Sequence, residues 1–123
     1  MLKVHAKNLG TVAILCLQGR VVRGETAALR NAVHSQPEVS AVVLDLARVS
    51  TIDAGGLGVM LELREQTLER GIRFELMNVS EPMSRVLEIT RLDSVFQITS
   101  GVEFFPQVSR DSRARLAALR SCA

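Results

Sequence analysis

The sequence predicts an α/β single domain with a mixed, mostly parallel central sheet, an N-terminal β-hairpin and about four helices. Three observations carry this. After the first two strands, strand-like and helix-like runs alternate, giving the order β-β-α-β-α-β-α-β-α. Such alternation favours parallel strands joined by right-handed crossovers. Val42, Val43, Leu44 and Leu46 form a run too apolar for a sheet face in water, as expected of a strand covered on both sides. Finally, 123 residues make one ordinary domain, and 47% of them are hydrophobic, enough for a core.

The elements follow in order. Leu2 to Lys7 alternates, with Leu2, Val4 and Ala6 opposite Lys3, His5 and Lys7, and reads as a half-buried strand. Asn8-Leu9-Gly10 supplies turn chemistry, and Thr11 to Gln18 completes a hairpin. Gly19 to Gly24 is a bend. Glu25 to Gln36 has Ala28, Leu29, Ala32 and Val33 at helical spacing, with Glu25 in the first turn and Pro37 ending the helix. Ser40 to Ala47 is the central strand. The turn Ser50 to Gly56 leads into a helix from Gly56 to Arg70, with Gly71 where a left-handed cap is expected. Arg73 to Asn78 is a strand. Ser80-Glu81-Pro82 starts a helix whose expected buried face is Met83, Val86, Leu87 and Thr90. Val95 to Ile98 is a last short strand. Pro106 to Arg120 reads as a final helix with a thin stripe of Val108, Leu116 and Leu119. The predicted division is a domain over 1–102 and a basic helical extension over 103–123.

Charge and composition narrow the function. Residues 1–102 are charge-balanced, and the net +2 resides in the last 21 residues, with Arg110, Arg113, Arg115 and Arg120 against Glu103 and Asp111. The body therefore has no basic field for steering toward nucleic acid. The absence of Trp and Tyr argues against base-stacking modules. The tail reads as a solvated arginine-bearing face. His5 and His34 fall on exposed sides. Cys16 lies inside an apolar strand, where a free thiol acts as a small hydrophobe, and Cys122 is next to the terminus. Neither a metal site nor a disulfide framework is expected. No run is long enough to span a bilayer and no signal core is present, so membrane insertion is not expected and a cytoplasmic location is.

The chemistry concentrates in the turn before the second helix. Asp53 precedes Gly55 and Gly56, and a carboxylate there can cap backbone N–H groups at the positive end of the helix dipole. Ala54-Gly55-Gly56-Leu57-Gly58 lacks the Lys-Ser/Thr of a P-loop and the spacing of a dinucleotide fingerprint. No His or Cys stands near Asp53 or Asp45, and paired carboxylates for acid–base work are not evident, so an enzyme is not expected and no cofactor is implied. Ser50 and Thr51 are ordinary turn hydroxyls, or exposed groups whose phosphorylation would switch a binding surface.

At this turn the chain resembles a known family. Val42-Val-Leu-Asp-Leu-Ala-Arg-Val-Ser-Thr-Ile-Asp-Ala-Gly-Gly-Leu-Gly58 is similar to the signature of STAS domains, especially bacterial anti-sigma-factor antagonists: an apolar strand ending in Asp, then Asp-Ser-Ser-Gly-Leu-Gly. Gly19-Arg20-Val21, the Gly71-to-Ser80 step and Val86-Leu-Glu-Ile-Thr-Arg-Leu-Asp-Ser-Val-Phe96, which matches a Leu-Thr-Gly-Leu-Asp-like segment, extend the resemblance over residues 1–100. It implies a regulator that binds an anti-sigma factor, often a serine kinase, in partner-switching control of transcription. The kinase phosphorylates the second serine of Asp-Ser-Ser-Gly. By position, Asp53 matches the family Asp and Gly56 its Gly, while Ala54 and Gly55 replace the serines. Val22 stands where many antagonists carry an Asp. The partner-binding residues implied are Asp53, Ala54, Gly55, Gly56, Leu57, Val22 and Arg23. Three outcomes stay open: a permanently competent antagonist, phosphorylation at Thr51 or Ser50, or another partner. The alternative functions are a STAS subunit or scaffold of a transporter or signalling assembly, and a small-ligand module for nucleotide or lipid.

Overall fold

A computed structural model describes residues 1–36 and 38–99. Strands β1 (Lys3–Leu9) and β2 (Val12–Val21) form the expected hairpin. Its two-residue connection contains Gly10 at φ +60°, a left-handed position that glycine occupies without strain. Helix α1 (Ala27–His34), strand β3 (Ala41–Ile52), helix α2 (Ala54–Glu69), strand β4 (Arg73–Met77), helix α3 (Glu81–Ile89), a 3-10 turn (Leu92–Ser94) and strand β5 (Gln97–Thr99) follow. The sheet order is β1-β2-β3-β4-β5, antiparallel at β1/β2 and parallel elsewhere. The described residues therefore hold three helices, not about four. The expected Pro106–Arg120 helix and the 103–123 extension lie outside them.

Sequential strand order has a consequence for layering. Each parallel crossover steps one strand in the same direction, and crossovers of one hand then place every helix on the same face. Accordingly Leu29 and Val33 of α1, Leu57, Met60 and Leu63 of α2, and Met83 and Leu87 of α3 pack on Leu15, Leu17, Val42, Leu44, Leu46, Phe74 and Leu76. On the other face Ile14, Cys16, Val43 and Met77 form a second, smaller cluster. Both faces of β3 are thus buried, which explains its unbroken apolar run. Cys16 is disulfide-bonded, so the reading of it as a free thiol is corrected.

Three boundaries differ from expectation. Strand β3 continues to Ile52, through residues read as a polar turn, because β2 runs on to Val21 and supplies pairing partners for Arg48 to Ile52. Register shifts at Cys16/Gln18 and Gly19/Arg20 accommodate the bend expected there without ending the strand. Helix α1 starts at Ala27, not at Glu25. Glu25 instead pairs with Arg20 at 3.1 Å and with the N-terminal ammonium at 3.5 Å.

Local signals were otherwise followed. Gly71 adopts φ +73° after α2, its N–H bonds to Leu68 O and the Ile72 N–H bonds to Thr67 O, a Schellman closure. Ser80 caps α3 by accepting from the Met83 N–H at 3.3 Å. Asp45, 1% exposed within β3, accepts from the Ala47 N–H at 3.0 Å and the Asn78 side-chain amide at 3.1 Å, tying the ends of β3 and β4 together.

Two substitutions at backbone-limited positions are expected to stabilise the chain. Arg91 stands in the left-handed region at φ +61°. Arg91→Gly should gain up to about 1 kcal/mol by removing that strain, read as a raised urea midpoint. Gly58 lies inside α2, and a Cβ added there meets nothing within 4 Å. Gly58→Ala should gain about 0.5–1 kcal/mol by the difference in helix propensity, read in the same titration.

Candidate functional site

The site is made by two neighbouring strand-to-helix loops. Parallel pairing sets Val21 beside Ile52, so the residues leaving β2 and β3 emerge side by side at the carboxyl ends of the strands. Asp53 is the tie between them. Its backbone is extended, and its side-chain Oδ1 accepts from the Gly56 N–H at 2.8 Å, capping α2. Both carboxylate oxygens also accept from the Arg23 N–H, at 3.1 and 3.2 Å. The Asp53 N–H bonds back to Val21 O at 3.3 Å. One exposed carboxylate therefore fixes helix start and adjacent loop together.

These bonds favour the ionised carboxylate. Chiefly the Gly56 N–H, then the Arg23 N–H, hold the Asp53 carboxyl below the ordinary carboxylate range, against a smaller opposing effect of desolvation. A carboxylate depressed in the folded state stabilises the fold above its unfolded pKa of about 4, and loses that contribution as pH falls through the folded pKa. The difference in melting temperature between the native chain and Asp53→Asn is therefore expected to be largest above about pH 5 and to shrink as pH falls below about 4. A difference that stays constant from pH 6 to pH 3 would count against this role.

The glycines serve close approach. A Cβ on Gly56 would lie 1.9 Å from Val21 O, so α2 starts directly against the backbone of β2. A Cβ on Gly55 would lie 2.6 Å from the Arg23 Cβ and 3.1 Å from its Cα. The space a side chain at position 55 would need is thus filled by the backbone and Cβ of Arg23.

The seven residues assigned by resemblance meet at this point but are not equally accessible. Arg23, Asp53 and Ala54 are exposed, and Val22 and Gly55 are half-buried. Gly56 and Leu57 are buried, so their part is to hold the helix against the sheet. Ser50 and Thr51 are exposed on the last residues of β3, and Ser50 Oγ donates to Gly19 O at 3.2 Å. Arg23 as the filler of position 55 had no sequence signal beyond its place in the bend. Behind the site, Arg30 of α1 pairs with Glu62 of α2 at 2.8 Å, and His34 Nε2 lies 2.8 Å from Gln66 Oε1. Among the described residues no cluster of three potential metal ligands occurs, and no helix is long and apolar enough to cross a membrane.

Known proteins share this fold. The model of the STAS domain family matches residues 3–110. An anti-sigma factor antagonist from Mycobacterium paratuberculosis aligns with a TM-score of 0.68 at 21% identity, over 98% of this chain and 96% of that one. A sulfate transporter family protein from Wolinella succinogenes aligns with a TM-score of 0.66 at 22% identity, over 73% and 77%. The Bacillus cell fate determinant SpoIIAA, solved in its phosphorylated form, aligns with a TM-score of 0.64 at 18% identity, over 87% and 100%. The family model spans most of the 123 residues, and the chain belongs to the STAS domain family.

Proposed function

We propose that this STAS domain is a non-enzymatic, cytoplasmic antagonist of an anti-sigma factor, docking its partner through Arg23, Asp53 and Ala54 and not switched by phosphate at position 55. The observation that carries the reading is the Asp53 bracket. Its three hydrogen bonds hold two loops in one shape and leave the cation of Arg23, the carboxylate of Asp53 and the first residue of α2 exposed together. Such a preformed, mixed-charge tip loses little entropy on binding and suits a protein surface of complementary charge. It needs no cofactor, metal or nucleic acid. Relatives of the same fold include an antagonist and a phosphorylated regulator, which supports a partner-switching ancestry. Gly55 has no hydroxyl to receive the phosphate, so the partner would be held without that release step.

Affinity capture from native lysate, with Ala54→Arg as the control, tests this. The native chain should retain a kinase-like anti-sigma factor, and Ala54→Arg should weaken that complex about tenfold or more by inserting bulk and charge at the helix start. Retention of a transport protein in its place would favour the second reading, a transporter-associated STAS domain, for which the likeness to the sulfate transporter family protein speaks. A small-ligand role at the glycine turn would instead appear as a nucleotide- or lipid-dependent rise in melting temperature.

A further inference from the structure

The end of α2 away from the capped turn borders a cavity in which the docking tip has no part. Strand β5 begins opposite Glu75, so the first two residues of β4, Arg73 and Phe74, have no β5 neighbour. A notch of about 360 Å³ lies there against the carboxyl half of α2. It is lined by Arg64 and Leu68 of α2, Arg73, Phe74 and Glu75 of β4, and Gln97 of β5. That volume is at the small end of the range for ligand pockets, about 300–1,000 Å³.

The lining has an apolar part and an unbalanced charged part. Leu68, 45% exposed, and the buried ring of Phe74 supply the apolar wall. Glu75, with a side chain only 6% exposed, accepts from Arg73 at 2.6 Å, so these two charges offset each other. Arg64 is half-buried, and its neighbours three and four residues away on the helix are Met60, Leu61, Thr67 and Leu68, none of them acidic. Among the described residues its guanidinium has no ion-pair partner, whereas Arg30 nearby on α1 is matched by Glu62 of α2. Two guanidiniums against one carboxylate leave the cavity with one net positive charge, and that charge is at Arg64.

We propose that this notch binds a small monocarboxylate with an apolar body, its carboxylate held by the Arg64 guanidinium and its body laid on Leu68 and Phe74. A guanidinium fork meets a carboxylate with two parallel N–H···O bonds, which fixes orientation as well as charge. Gln97, exposed at the rim, has an amide that can donate one more bond. A neutral molecule with the same body leaves Arg64 uncompensated, and a cation is repelled. Arg64 and Leu68 lie roughly 16 and 22 Å along α2 from Asp53, so the cavity is separate from the docking tip and the proposal does not depend on the partner's identity.

The test uses the full chain, with hydrocinnamate as the probe and backbone amide NMR signals as the readout. Saturable shifts should centre on Arg64 to Leu68, Arg73 to Glu75 and Gln97, with a Kd of about 1 mM or tighter. Hydrocinnamyl alcohol, which has the same body without the charge, should bind about tenfold or more weakly. Arg64→Gln should weaken hydrocinnamate about fivefold or more and the alcohol less than about twofold, a split that a merely structural role would not give. Leu68→Ser, at a half-exposed position, should weaken both probes about threefold or more. The proposal is overturned if hydrocinnamate gives no saturable shift at Arg64 to Leu68 up to about 10 mM, if the alcohol binds as tightly, or if a folded Arg64→Gln chain keeps its affinity. Shifts centred on residues 50–57 would place the binding at the glycine turn and overturn it as well.

Discussion

Gly56→Ala is expected to cost about 3 kcal/mol and to lower the melting temperature by about 12 °C. In an exposed helix the same change gains stability, because alanine is the better helix former. Here the added Cβ would sit 1.9 Å from Val21 O, 2.7 Å from the Val21 carbonyl carbon and 3.0 Å from its Cγ1. None of these atoms is the end of a flexible side chain. Val21 O also accepts from the Asp53 N–H, so it cannot retreat without disturbing the cap. Relief would require α2 to lift from β2, parting Leu57 and Met60 from the sheet core. Gly58, two residues on, faces open space, and its change to alanine is expected to have the opposite sign. Chemical denaturation of the two variants side by side checks the contrast. A neutral Gly56→Ala would mean that the helix start is not pressed on the strand.

Gly55→Ser is expected to cost about 1–3 kcal/mol. Its Cβ would approach the Arg23 Cβ to 2.6 Å, forcing the loop after β2 outward. That loop is held by the Arg23 N–H on Asp53 and by the Glu25 N–H on Val22 O at 3.0 Å, so displacement strains both. Arg23→Gly removes the obstructing Cβ. In that background Gly55→Ser should cost at least about 1 kcal/mol less, a coupling that a double-mutant cycle measures directly. Additive effects would show that residues 23 and 55 do not compete for space. The loop after β2 has thus closed over the space a side chain at position 55 would occupy.

Much of this was legible in the residues. Asp53 before two glycines announced a capped helix start, Ser80 with Pro82 announced α3, and Gly71 announced the left-handed end of α2. Each is a local rule acting on one or two residues. What the sequence concealed depends on neighbours distant in the chain. The stretch Ser50 to Ile52 looked like part of a turn because its strand character comes from pairing with β2, not from its own side chains. Glu25 looked like a first-turn acid, but two cations recruit it ahead of the helix. The sequence placed Asp45 in an apolar strand, and its partners, the Ala47 N–H and the Asn78 side-chain amide, came to light only in the fold. At the candidate site, the resemblance pointed to one turn, while the burial of Gly56 and Leu57 and the plugging of position 55 by Arg23 emerged only in three dimensions.

The central proposal is that this tip binds a partner without release by phosphate at position 55. The affinity of the captured kinase-like partner for the chain, measured before and after incubation with ATP and magnesium, tests it most directly, with intact-mass analysis of the same sample. The account predicts an unchanged mass and a Kd constant within about twofold, less than about 0.4 kcal/mol. A phosphate found on Ser50 or Thr51, together with a tenfold or greater weakening, would contradict it.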